Sequence, residues 1–185
     1  MLSANDKKTL LRIARETVKA ALAGTPLPIV TADSPGLITP CGAFVTLKNA
    51  GRLRGCIGTF GARAPLYRTV QQMAVAATRD PRFLGNPVTA AELDRIQIEI
   101  SALSPLEKMK DPMAEIELGR HGICIEGPYG SGCFLPQVAT ETGWSKEEFL
   151  SNCAAHKAGM PADAWKDPGV TVYRFDAEVF GEAEG

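Results

Sequence analysis

Residues 43–59 read Ala43-Phe44-Val45-Thr46-Leu47-Lys48-Asn49-Ala50-Gly51-Arg52-Leu53-Arg54-Gly55-Cys56-Ile57-Gly58-Thr59. Ala43, Val45 and Leu47 alternate with Phe44, Thr46 and Lys48, as in a strand buried on one face, and Asn49-Ala50-Gly51 supplies turn residues. A β-hairpin follows. On its second arm a period of two sets Leu53, Gly55 and Ile57 on one face and Arg52, Arg54, Cys56 and Gly58 on the other. Arg54 and Cys56 are therefore expected as neighbours on one face.

Helices and further strands flank this hairpin. Over residues 5–23 the apolar positions Leu10, Leu11, Ala14, Val18, Ala21 and Leu22 recur at helical spacing, and Gly24 suits a C-terminal cap. The next stretch carries four prolines, Pro26, Pro28, Pro35 and Pro40, and reads as a wrapping loop. Pro65 suits the first turn of a second helix, whose stripe of Leu66, Val70, Met73, Ala74 and Ala77 is stopped by Pro81. Residues 95–102 alternate as a one-sided strand, 121–126 read as another, and Gly127 to Gly132 reads as a glycine-rich turn or loop. Ser145-Lys146-Glu147-Glu148 has capping-box order and opens a third helix, and residues 170–180 form a closing β segment. Helices and strands mix without a regular βαβ rhythm. The expected class is α+β: one compact domain over residues 1–185, with a mixed or largely antiparallel sheet and three main helices.

The chain of 185 residues carries 20 Lys+Arg against 21 Asp+Glu, which indicates no strongly basic surface for nucleic acid and leaves only a local basic patch open, and 45% hydrophobic residues suffice for a core. No apolar run has the length of a bilayer span, and the first residues lack the order of a secretory signal, so a cytoplasmic protein without membrane attachment is expected. The five cysteines, Cys41, Cys56, Cys124, Cys133 and Cys153, include no C-x-x-C pair, and reduced thiols are expected. A metal site from His121, Cys124 and Cys133 fits no zinc spacing, so no metal is assigned.

The chemistry-bearing candidates centre on Cys56. Gly55 and Gly58 flank it inside a strand, where glycine forfeits packing; they either admit a ligand or backbone, or mark a bulge or tight packing point. Arg54 is read as the cation that favours the Cys56 thiolate or clamps an anionic ligand. His121, followed by Gly122, is the better of the two histidines as a proton-transfer partner, while His156 suits a helix end. Asp80 and Arg82 in Asp80-Pro81-Arg82-Phe83 either join a binding site or close a turn. Glu99 and Glu141 lack an identified partner.

Taken together, Leu53-Arg54-Gly55-Cys56-Ile57-Gly58, Asp80-Pro81-Arg82-Phe83, His121-Gly122-Ile123, Phe134-Leu135-Pro136-Gln137-Val138-Ala139 before Gly143-Trp144, and Lys157-Ala158-Gly159 resemble the AmmeMemoRadiSam system protein A family, the family of the human AMME-syndrome candidate protein. The motifs stand in the family's order across nearly the whole chain. The resemblance implies a two-lobed α+β fold without a separable linker, with the Arg-Gly-Cys-Ile-Gly segment lining a cleft between lobes. It implies Memo-type and radical-SAM proteins as partners and names no reaction or cofactor. Gln137 stands where members commonly carry Glu, and Gly132-Cys133 where Ala-Thr is often seen.

Two functions compete. In the first, the protein is a cysteine-dependent enzyme acting on a small anionic substrate, with Cys56 as nucleophile or redox thiol, Arg54 as its cation, His121 as proton carrier, and Gly55, Gly58, Asp80 and Arg82 as binding residues. In the second, it is a non-catalytic adaptor that binds a ligand or pathway partner.

Overall fold

The computed structural model describes residues 2–61 and 64–182 and divides the chain into two compact units, residues 1–103 with 178–185, and residues 104–177. The helices are α1 (Ala4–Ala23), α2 (Pro35–Ile38), α3 (Leu66–Ala77), α4 (Pro112–Glu115), α5 (Pro136–Thr142) and α6 (Lys146–His156). The strands are β1 (Ala43–Asn49), β2 (Arg52–Thr59), β3 (Ile96–Leu103), β4 (Glu107–Lys108), β5 (His121–Gly127), β6 (Gly130–Phe134) and β7 (Thr171–Gly181). Hydrogen bonding orders them β2-β1-β3-β7-β5-β6, with β4 on β7. The β1·β2, β1·β3, β4·β7, β5·β6 and β5·β7 pairs are antiparallel. The class is α+β, and α1, α3 and α6 are its three long helices. Among the described residues no helix is long and apolar enough to cross a membrane.

In the first unit, Leu10, Ile13 and Val18 of α1, Leu66 and Val70 of α3, and the inward residues Val45, Leu47, Ile98 and Ile100 form one core. The helix α1 starts where Ser3 and Asp6 cap one another, and stops at Gly24, whose φ of 68° is the left-handed turn expected of a glycine cap. The β1–β2 hairpin turns through Ala50 and Gly51, both at positive φ, a geometry that matches the twist of the flanking strands. Residues 178–182 complete this unit. Glu182 accepts from Arg15 Nε at 2.8 Å and from the Ile98 amide at 2.8 Å, and Glu178 accepts from the Leu2 amide at 2.9 Å.

In the second unit, Ile123, Ile125, Phe134, Phe149, Leu150, Cys153 and Val172 pack together. Phe134 and Phe149 stack at 5.6 Å, and Ser145 and Glu148 cap α6 reciprocally. The Gly127–Gly132 segment is a turn only at Pro128–Tyr129. Gly130 already belongs to β6, because Gly130 and Gly132 lie directly against the backbone of Lys157–Ala158, where a Cβ would stand 2.6 Å and 2.3 Å from the nearest atoms.

The expectation of five reduced thiols is corrected here. Cys124 and Cys133 are joined as a disulfide, whereas Cys41, Cys56 and Cys153 are free. The cause is register: β5 and β6 place the two cysteines directly opposite, with Cα atoms 4.1 Å apart.

Candidate functional site around Cys56

Cys56 sits on β2, the edge strand, opposite Thr46 of β1. Thr46 is itself opposite Glu99 of β3, so the three form a row across the sheet on the face turned away from the α1 and α3 core. The Cys56 backbone groups point outward from the edge, which makes Thr46–Cys56 the closer kind of antiparallel pair. Thr46 Oγ1 donates to Cys56 Sγ at 3.2 Å. The thiol is half-buried, which leaves one side open to solvent.

An unpaired strand edge exposes N–H and C=O groups that must find partners. Here the Asp80–Arg82 pair supplies both. Asp80 Oδ2 accepts the Cys56 N–H at 2.9 Å, and Arg82 Nη2 donates to the Cys56 carbonyl at 3.0 Å. Arg82 meets the carboxylate through Nε at 3.0 Å and Nη2 at 2.6 Å, while the Asp80 side chain, 1% exposed, also accepts the Arg82 amide and starts the 3-10 turn Pro81–Phe83. The bidentate guanidinium holds the Asp80 carboxyl well below the usual carboxylate range despite its burial. Asp80 leads in holding Arg82 above the ordinary arginine value, with Cys56 assisting, and 58% of the Arg82 side chain is in water.

Arg54 goes elsewhere. Leu47 pairs with Gly55 but Lys48 with Leu53, so Arg54 is the extra residue of a β-bulge, and the period-two expectation fails at that position. Its guanidinium binds Glu92 through Nε at 2.8 Å and Nη2 at 3.0 Å, and donates to the carbonyls of Asn86 and Pro87. This tethers the segment between α3 and β3 to the sheet. Lys48 is likewise paired with Glu99 at 2.9 Å, so the three cations Arg54, Arg82 and Lys48 each already hold a carboxylate.

Glu92 gives a pH-dependent prediction. The Arg54 hydrogen bonds lead, with Asn49 and the Thr89 amide assisting, in drawing its pKa from 4.5 to about 2 against the effect of burial. A depressed folded-state value means that this stabilisation is complete above the ordinary glutamate value and is lost as pH falls from 4.5 toward 2. It is worth about 2 kcal/mol, allowing for the pair's slight exposure. Urea unfolding of wild type and Glu92→Gln should differ by that amount at pH 7 and converge at the acid end of the window. A gap that is constant with pH would overturn the assignment.

The two glycines are packing points. A Cβ on Gly55 would stand 2.1 Å from the Ala77 carbonyl oxygen at the end of α3, and one on Gly58 would stand 2.2 Å from the Phe44 ring. At both positions the close neighbour is the chain itself.

His121 belongs to the second unit, where it is buried at the start of β5 and its Nδ1 accepts the Glu117 amide at 3.0 Å. That bond leaves the ring N–H on Nε2. His156 lies exposed in the last turn of α6, and Glu141 is exposed on α5. The first unit contains no histidine. Thr46 and Glu92 are site residues that the motifs alone did not reveal. Counting across the hairpin could have found Thr46 once the bulge at Arg54 was allowed for, whereas Glu92 carries no local signal.

With this geometry in place, the comparisons are specific. A family model described as AMMECR1 matches residues 11–180. A protein of Methanothermobacter thermautotrophicus is 42% identical, covering 98% of this chain and 96% of the relative. Protein MJ0810 of Methanocaldococcus jannaschii is 38% identical, covering 100% of this chain and 94% of the relative. The crystal structure of uncharacterized protein PH0010 from Pyrococcus horikoshii superposes with a TM-score of 0.80 at 37% identity, covering 95% of this chain and 91% of that one. The motifs set out from the sequence point the same way as the whole-chain matches: this chain belongs to the AMMECR1 family.

Proposed function

We propose that the protein works through the thiol of Cys56, as a cysteine-dependent enzyme whose substrate binds beside the edge strand β2 of the first unit. The observation that carries this reading is the setting of the sulfur: half-buried, accepting the Thr46 hydroxyl at 3.2 Å, on a residue whose carbonyl accepts from Arg82 Nη2 at 3.0 Å. A sulfur that only filled core space would need neither contact. Thr46 orients the sulfur, and Arg82, fixed by Asp80, holds the Cys56 backbone at the sheet edge. Because Arg54, Arg82 and Lys48 are each paired with a carboxylate, an anionic substrate would have to compete with an existing partner. The thiol rather than a free cation is therefore the centre of the proposal. In this reading the protein acts in the cytoplasm, where free thiols persist.

The test is iodoacetamide labelling of folded protein, resolved cysteine by cysteine. Burial pushes the Cys41 thiol up, and pushes that of Cys153 up to about 12, so both should react slowly. Cys56 should label first, and Thr46→Val should slow it by about tenfold, as expected for loss of the hydrogen bond that orients the sulfur. Cys56 labelling no faster than Cys41, or only on unfolding, would overturn the proposal.

One observation supports the adaptor reading instead. Leu84, next to the Arg82-Phe83 segment, is 74% exposed, as a contact residue for a partner of Memo or radical-SAM type would be. Under that reading Cys56→Ala keeps partner binding intact; under the enzyme reading it abolishes turnover.

A further inference from the structure

We infer that Cys124 and Cys133 form a reversible two-electron redox site, opened by small thiols with Cys133 as the attacked sulfur. The site lies in the second unit and stands independently of Cys56.

The first ground is preorganisation. The β5·β6 register runs from Ile123↔Phe134 to Gly127↔Gly130 around a two-residue turn, and it holds Cys124 opposite Cys133 without help from the sulfur bond. The hairpin is also fixed on its other face. Gly132 lies against the Lys157–Ala158 backbone, and Cys153 Sγ donates to the Gly132 carbonyl at 3.4 Å. Both redox states can therefore keep the hairpin, which a reversible couple requires.

The second ground is asymmetry of access. Cys124, on the inner strand, is 3% exposed and flanked by Tyr173 of β7 on its other side, whereas Cys133, on the edge strand β6, is partly open to solvent. An incoming thiolate reaches Cys133 Sγ first. It forms a mixed disulfide there, the Cys124–Cys133 bond breaks, and Cys124 leaves as a thiolate that takes up a proton. A second small thiol, as thiolate, attacks the small-molecule sulfur of the mixed disulfide, releasing the oxidised small disulfide and Cys133, which is also protonated. The sum is one protein disulfide and two small thiols giving two protein thiols and one small disulfide. Cys153 takes no part, because burial holds its thiol protonated.

The experiment equilibrates the full chain in buffers of graded reduced and oxidised glutathione, then quenches with acid, alkylates and maps each cysteine by mass spectrometry. The expected result is that Cys124 and Cys133 titrate together in one two-electron transition. The glutathione adduct should form on Cys133 at least about tenfold more than on Cys124. In Cys124→Ser the adduct on Cys133 should persist, because the resolving sulfur is gone, while Cys133→Ser should leave Cys124 unmodified. A pair that stays fully reduced or fully oxidised across the whole series overturns the inference, as does an adduct chiefly on Cys124. The wild-type titration decides the matter even if a variant fails to fold.

Discussion

Gly55→Ala should be one of the most damaging single-methyl changes in the first unit, lowering stability by about 3 kcal/mol or more in urea unfolding. The new Cβ would sit 2.1 Å from the Ala77 carbonyl oxygen and 3.1 Å from its carbon. Those are backbone atoms at the end of α3, so relief demands moving the helix end or parting β2 from it; no side chain can swing away. Gly58→Ala meets the Phe44 ring at 2.2 Å and the Ala43 carbonyl oxygen at 2.7 Å; the ring, edge-on against Phe60 at 4.8 Å, can rotate in part and the backbone approach is less close than at Gly55, so its cost should be smaller. Gly85→Ala, with nothing within 4 Å of the added methyl, should stay within about 0.5 kcal/mol of wild type. The ordering of the three midpoints is the check. A Gly55→Ala midpoint close to that of Gly85→Ala would mean that α3 does not fix the strand there.

Asp80→Ala should cost about 3 kcal/mol, because it leaves two groups stranded at once: the Cys56 N–H at the sheet edge and the Arg82 guanidinium. The figure stays at the low end for a broken buried pair because Arg82 can recover water over its exposed half. Asp80→Asn keeps an oxygen for the Cys56 amide and should lose roughly half as much. Since the folded-state Asp80 carboxyl lies below the ordinary range, the wild-type advantage over Asp80→Asn is present above that range and disappears as pH falls below it. Unfolding curves at pH 7 and in acid test both size and sign. The same variants bear on chemistry, because a loosened edge at Cys56 should change the labelling rate of that thiol and leave Cys153 unaffected.

The sequence made the periodic elements legible because they obey a single rule over many residues. The stripe of α1, the capping box of α6 and the alternation of β3 all sit within a residue or two of expectation, since the core rewards each repeat in the same way. The expected place of Arg54 fails because a period of two assumes an unbroken ladder, and one bulged residue turns the side chain toward Glu92. Glu92 itself lies 38 residues away, a distance at which no local pattern operates. The disulfide is hidden for a different reason: residues 127–132 read as a turn or loop, so no register runs through them. Counting outward from Pro128–Tyr129 puts Gly127 opposite Gly130 and, three steps on, Cys124 opposite Cys133. Helix α5 was also missed, although Pro136 at its start and Gly143 at φ 68° at its end are ordinary boundary signals. Asp80 and Arg82 were named from their motif, and only the fold revealed that they bind the backbone of Cys56.

The first unit draws its opening helix and its closing residues from opposite ends of the chain. Glu178 meets Leu2 across 176 positions, and Glu182 meets Arg15 across 167. Contacts of that separation form late and carry a large closure entropy. On a translating ribosome, residues 1–103 therefore emerge as an unfinished structure that lacks its last ion pairs and the end of β7. Residues 104–177 are contiguous and have no such wait. The part of the protein that is made first is, by this topology, the part completed last, and a nascent chain stalled short of Glu178 would display the edge of β3 that β7 later covers.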